Sequence, residues 1–196
     1  MKKQSVLVTV DQEWDHYRWA GDVRRTIDTV VLVSIVVLFG LAILKLLSIE
    51  TSETAHIPNN SRSTSEFSNV PATSGPHYST AAEWAVYDEP LRYEQVLRNL
   101  EEGGVAVYYQ CDPACPELVK QLEEIVTPYL ASGRKVLLLP NVPTWREMYN
   151  KPWNQDMGAR IAVTTWKNAE KYNKIEPTKI QAFIERYEGI DHQLRE

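Results

Sequence analysis

The sequence predicts an α/β protein with one N-terminal transmembrane helix and one small outer domain; α+β is the alternative arrangement. Three observations predict it. Residues 29–48, TVVLVSIVVLFGLAILKLLS, form an apolar run whose only charge is Lys45. About 20 such residues as a helix cover about 30 Å, the thickness of a bilayer's hydrocarbon. Next, residues 105–109, 135–139 and 161–166 are short runs dominated by apolar and β-branched side chains. Last, stretches with helical apolar spacing alternate with these runs. Strands apolar on both faces, set between helices, imply a short, largely parallel sheet with flanking helices.

Residues 1–28 read as a cytoplasmic tail. Lys2, Lys3, Arg18, Arg24 and Arg25 precede the apolar run, and after Lys45 the next basic residue is Arg62. The positive-inside tendency therefore puts the N-terminus in the cytoplasm and the C-terminal domain outside it. The expected location is the cell membrane, single-pass, with lipid as one partner. A cleaved leader is not expected, because the run starts late and no small-x-small pattern follows it closely. Trp14, Tyr17 and Trp19 sit close to the membrane, as interfacial anchors or as contacts for another membrane-protein subunit.

Residues 49–70 are rich in Ser, Thr, Asn and Glu and read as a linker or extended arm; His56 is its one metal-capable nitrogen side chain. The globular, extracytoplasmic domain is expected over 71–196. Pro71, Gly75 and Pro76 give turn chemistry. Apolar residues at 93, 96, 97 and 100 predict a helix ended by Gly103 and Gly104. Pro116 opens the next helix, in which Leu118, Leu122, Ile125 and Tyr129 share a face and Pro128 should kink or end it. Pro177 opens the last, with Ile180, Phe183, Ile184 and Tyr187 on one face. Between the second and third strands, residues 140–158 make a long loop carrying Trp145, Tyr149 and Trp153, a candidate contact surface.

The formal charge is −5, and residues 51–196 hold 15 Lys/Arg against 20 Asp/Glu. An acidic domain lacks the basic face that phosphate backbones need, so nucleic acid is not an expected partner. No phosphate loop, dinucleotide fingerprint, haem motif or Gly-x-Ser-x-Gly occurs, and Ser74 and His77 have no acid tied to them by spacing.

The turn Thr73-Ser74-Gly75-Pro76-His77-Tyr78 and the stretch from Leu97 through Gly104 to Val105 resemble the domain-of-unknown-function family numbered 3105. Residues 162–166 also resemble that family's final strand, and the likeness covers about residues 56–188. Family members carry a Thr-Ser-Gly-Pro-His turn and a His-x-Leu-Glu-His-Gly-Gly-Val helix end. The resemblance implies a possible metal site there, but Arg98 and Glu102 stand where the motif has histidines. Only His77, His56, Glu101 and Glu102 remain as ligand candidates, and arginine, always protonated, opposes a cation.

Cys111-Asp112-Pro113-Ala114-Cys115-Pro116 places two thiols between a strand and a helix N-terminus, where the helix dipole favours thiolate. The arrangement resembles the Cys-x-x-x-Cys-Pro of Sco-type copper chaperones, which implies a thioredoxin-like fold and copper. No histidine lies between Cys115 and His192 to serve as the distant ligand, and no proline directly precedes Ile161, where thioredoxin-like redox enzymes carry one. A structural disulfide, inert thiols, and redox or copper chemistry all fit the pair; a metal set of Cys111, Cys115 and His77 belongs to the last.

Two functions follow. The first is a non-catalytic accessory or assembly subunit of a membrane complex without a cofactor. The alternative is a copper-handling or thiol–disulfide protein acting through Cys111 and Cys115.

Overall fold

The computed structural model describes residues 27–45, 55–64, 66–67, 69–145 and 152–192. The chain forms two units, Met1–Glu50 and Thr51–Glu196. In the first, helix α1 (Ile27–Lys45) is long and apolar enough to cross a membrane, with a mean hydropathy of 2.7. It starts two residues before the expected span, and residues 46–48 lie outside the described residues. Its hydroxyl at Ser34 donates to Val30 O at 2.8 Å, which satisfies that polar group within the helix.

The second unit is mixed α/β. Strand β1 (His56–Ile57) pairs in parallel with β2 (His77–Tyr78). Helix α2 (Tyr93–Glu101) leads into β3 (Val105–Tyr109), followed by α3 (Pro116–Ala131), β4 (Val136–Pro140), β5 (Ile161–Thr165), β6 (Asn168–Tyr172) and α4 (Pro177–Tyr187). The main sheet has the order β4-β3-β5-β6. β3 and β4 are parallel, joined by α3, whereas β3–β5 and β5–β6 are antiparallel.

The expectation of a largely parallel main sheet is thus corrected. Both-face burial of the central strands comes from helices on both faces, not from parallel pairing. Ala106, Tyr108, Leu137, Leu139 and Ala162 pack with Val96, Leu97 and Leu100 of α2. The alternate residues Val105, Val107, Leu138, Ile161 and Val163 pack with Leu122 and Val126 of α3 and Ile180 and Ile184 of α4. The period-two alternation sorts one strand's side chains into two cores. Strand β6 was not expected, because Asn168-Ala169-Glu170-Lys171-Tyr172 is a polar, mostly exposed edge. Such charge on an outer strand discourages pairing with another chain.

Two further expectations change. The segment read as a linker over 49–70 belongs to the domain from its described part onward: His56 and Ile57 form β1, and Phe67 and Val70 pack on the core. Pro128 does not end α3, which runs on to Ala131. At the end of α2, Gly103 takes φ 85°, and a Cβ there would stand 2.8 Å from the Ile190 backbone. Only glycine meets both demands, and it lets Gly189 N–H donate to Gly103 O at 2.8 Å.

Candidate functional site

The cysteine pair lies where β3 hands over to α3. Cys111 and Cys115 are at disulfide distance, with Cα atoms 5.8 Å apart. Cys115 precedes the first helical residue, Pro116, and its carbonyl accepts from Leu118 N–H and Val119 N–H at 3.1 Å. The sulfur of Cys115 thus lies at the N-terminus of α3, where the helix dipole favours a negative charge. Both cysteines are half-buried and line an open cleft of about 580 Å³ with Tyr109, Lys120, Glu123 and Asn141. Burial pushes the Tyr109 hydroxyl's pKa up, and Asp88 and Glu123 push it further. The cleft thus carries carboxylates beside the sulfurs.

Behind this cleft a polar network ties the 152–158 segment to the sheet. Tyr93 donates its hydroxyl to Asn141 Oδ1 at 2.6 Å, and Asn141 Nδ2 donates to Gln110 Oε1 at 2.6 Å. Gln110 Nε2 donates to Asp156 at 2.7 Å, which, with the Gly158 N–H, holds the Asp156 carboxyl below its usual range. The Tyr108 hydroxyl is buried without a hydrogen-bond partner among the described residues, and burial raises its pKa strongly.

A second cluster sits where α2 meets the β1–β2 pair. The β pairing puts His56 opposite His77, and helical spacing puts Arg98 and Glu101 on one face of α2. His77 is fully buried between the rings of His56 and Trp166, at 5.1 and 5.6 Å. Its Nδ1 is 2.9 Å from Gly75 O and its Nε2 is 3.0 Å from Glu101 Oε2. Glu101 Oε2 also accepts from Arg98 Nη1 at 2.8 Å. The same Nη1 lies 3.3 Å from His56 Nε2, which must accept, because a guanidinium only donates. Arg98 Nε stands 3.1 Å from Glu102 Oε1, an ion pair without hydrogen-bond alignment.

Ligand atoms of three metal-capable side chains converge at His56, His77 and Glu101, all within 4.8 Å of one another. Among the described residues Cys111 and Cys115 form no such group with His77, so the expected set of Cys111, Cys115 and His77 is not brought together. His56 is a ligand candidate in the sequence, but nothing local reveals its pairing with a position 21 residues further on. Of the expected contact residues, Trp14, Tyr17, Trp19 and Tyr149 lie outside the described residues. Trp145 is exposed, and its ring meets Trp153 edge-on at 5.7 Å, with Arg92 over the Trp153 face at 5.0 Å.

The fold and these sites define an α/β domain that presents a cysteine pair at a strand–helix junction and a His/Glu/Arg cluster under its second helix. The profile of the family described as Protein of unknown function (DUF3105) matches residues 59–194, more than half of the chain. The chain belongs to that family. No curated protein and no solved structure is significantly similar to it.

Proposed function

We propose that this chain is a membrane-anchored, thioredoxin-like thiol–disulfide protein whose working groups are Cys111 and Cys115. The observation that carries the reading is the position of the pair. It follows the first strand of a β-α-β unit, at the start of the joining helix, with an antiparallel hairpin and a helix after it. A strand–cysteines–helix junction in that topology is where a dithiol gains thiolate character from a helix terminus. The open cleft gives a substrate access to the sulfurs.

In the exchange, a substrate thiolate attacks Cys111 Sγ and the Cys111–Cys115 bond breaks. The electron pair leaves on Cys115 Sγ at the N-terminus of α3, whose dipole makes it the better leaving thiolate. A second substrate thiol, losing its proton, then attacks the mixed disulfide and frees Cys111 as thiolate. The substrate dithiol is oxidised by two electrons and the domain's disulfide is reduced by two. Copper has less support, since no histidine joins the pair among the described residues. Placement outside the cytoplasm, with residues 1–28 inside, agrees with a compartment that keeps disulfides oxidised. The 19-residue helix α1, none of it buried, supports the anchor.

The test is a redox titration of the full chain in mild detergent, followed by thiol trapping. A reduction midpoint above about −270 mV is expected, within the range of exchange catalysts. Oxidation of a dithiol peptide should fall to the uncatalysed rate in Cys111→Ser. A midpoint below about −300 mV would make the pair a structural staple and overturn the reading.

The accessory-subunit reading keeps one specific observation in its favour, the exposed Trp145 over Trp153. Exposed aromatics of that size are common anchors at protein interfaces. In gentle detergent the chain should then comigrate with a larger complex, and Trp145→Ala together with loss of residues 1–20 should release it. Migration as a free chain in wild type would remove this reading.

A further inference from the structure

The geometry points to a second site, away from the cysteines: His56, His77 and Glu101 form a transition-metal ligand set, and Arg98 is the cation that holds it closed. Two imidazoles and one carboxylate are the donors of an open zinc site with three protein ligands. His77 is already arranged as a ligand. Its Nδ1–H donates to Gly75 O at 2.9 Å, and its Nε2, which holds a proton toward Glu101 Oε2 at 3.0 Å, is the atom turned to the cluster and would bind an ion on giving up that proton. Metal-binding histidines are commonly fixed in this way, through the other ring nitrogen and a backbone carbonyl. His56 presents Nε2 to the same point from an accessible position, with a side chain 50% exposed. That gives an ion a path in from solvent.

The spacing explains why Arg98 is there. Bonds of about 2.0–2.1 Å to a tetrahedral zinc ion put ligand atoms roughly 3.3–3.5 Å apart. Here His56 Nε2 stands 3.9 Å from Glu101 Oε2, and the three ligand atoms lie within 4.8 Å of one another. Arg98 Nη1 fills the difference, 2.8 Å from Glu101 Oε2 and 3.3 Å from His56 Nε2. It supplies the positive charge a buried carboxylate requires, which is the electrostatic part of what a metal ion would do. The guanidinium occupies the space between Glu101 Oε2 and His56 Nε2 and its positive charge repels a divalent cation there, so the native side chain keeps metal out. Removal of Arg98 leaves three convergent ligands and an uncompensated buried carboxylate, the conditions under which a divalent ion binds.

The test uses the full chain in mild detergent with its cysteines oxidised, so that sulfur is not available as a ligand. Wild type, Arg98→Ala and Arg98→His are dialysed against cobalt and, separately, zinc. Wild type should retain almost no metal. Each variant should take up roughly one ion per chain, with the intense visible absorption of tetrahedral cobalt for Arg98→His, whose imidazole adds a fourth ligand. Apparent affinity should rise about 10–100-fold over wild type, the scale on which groups next to a ligand change metal affinity. Adding His77→Ala should abolish the gain. If a variant does not fold alone, zinc added during refolding should restore wild-type circular dichroism. Equal cobalt uptake by wild type would overturn the proposal. So would two variants that neither gain metal nor are rescued by it.

Discussion

Replacing Glu101 with alanine is expected to cost about 3–5 kcal/mol of folding stability, the usual penalty for removing one partner of a buried ion pair. The side chain of Glu101 is 7% exposed, that of Arg98 14%, and that of His77 not at all. Glu101 Oε2 receives Arg98 Nη1 at 2.8 Å and faces His77 Nε2 at 3.0 Å. Without it, Arg98 keeps, among the described residues, its unaligned contact with Glu102 and its contact with His56, and His77 loses the acceptor at its buried nitrogen. Water entering beside His56 could take that proton but would not restore the charge that Arg98 loses. Exposed ion pairs, by contrast, contribute about 0–1 kcal/mol, because water solvates each charge when its partner goes. Urea unfolding followed by tryptophan fluorescence gives the number. Glu101→Gln, which keeps a neutral acceptor of the same shape, should fall between the two. A loss below about 1 kcal/mol in Glu101→Ala would mean the cluster is solvated and not a buried charge network.

Much of this domain was legible in residue types. Val105 to Tyr109 is the strand expected, and Pro116 and Pro177 open α3 and α4, because a residue with fixed φ and no N–H fits a first turn. Strand direction was not legible. Leu137 and Leu138 are both buried, one in each core, and that pattern is the same whichever way the neighbouring strand runs. The polar edge strand β6 was missed for the opposite reason: Glu170 and Lys171 carry no apolar signal, and its pairing with β5 places it. For the sites, the two cysteines could be seen as a unit because the chain itself keeps them close. The histidine cluster could be seen only as separate ligand candidates, His56, His77, Glu101 and Glu102, without their contacts. Its parts come from three separate elements, and Arg98 reads as a lost ligand until its guanidinium is placed against Glu101 and His56.

Asn99→Ala is expected to cost about 2–6 kcal/mol, since it strands two buried backbone groups at about 1–3 kcal/mol each. The Asn99 side chain, fully buried on α2, works as a short piece of strand. Its Oδ1 accepts from Ala82 N–H and its Nδ2 donates to Ala82 O, both at 2.8 Å. Alanine at 99 fills neither role. Asn99→Asp separates hydrogen bonding from size: one carboxylate oxygen can still accept from Ala82 N–H, but the other then faces Ala82 O with no proton between them. It should therefore be no more stable than Asn99→Ala at neutral pH. The effect should also travel toward the cysteine cleft. Ala82 leads directly into residues 85–87, where Leu138 N–H donates to Ala85 O at 3.2 Å and Tyr87 N–H donates to Leu138 O at 2.8 Å. That segment covers the outer edge of β4, and Asp88 follows it into the wall of the cleft. Release of Ala82 should let this edge fray, so amide exchange at Tyr87 and Leu138 should quicken more than at Val163 in the sheet's centre. Unchanged exchange at those two amides, or a stability loss under about 1 kcal/mol, would show that Ala82 is held by packing alone and that Asn99 contributes nothing to the order of the cleft.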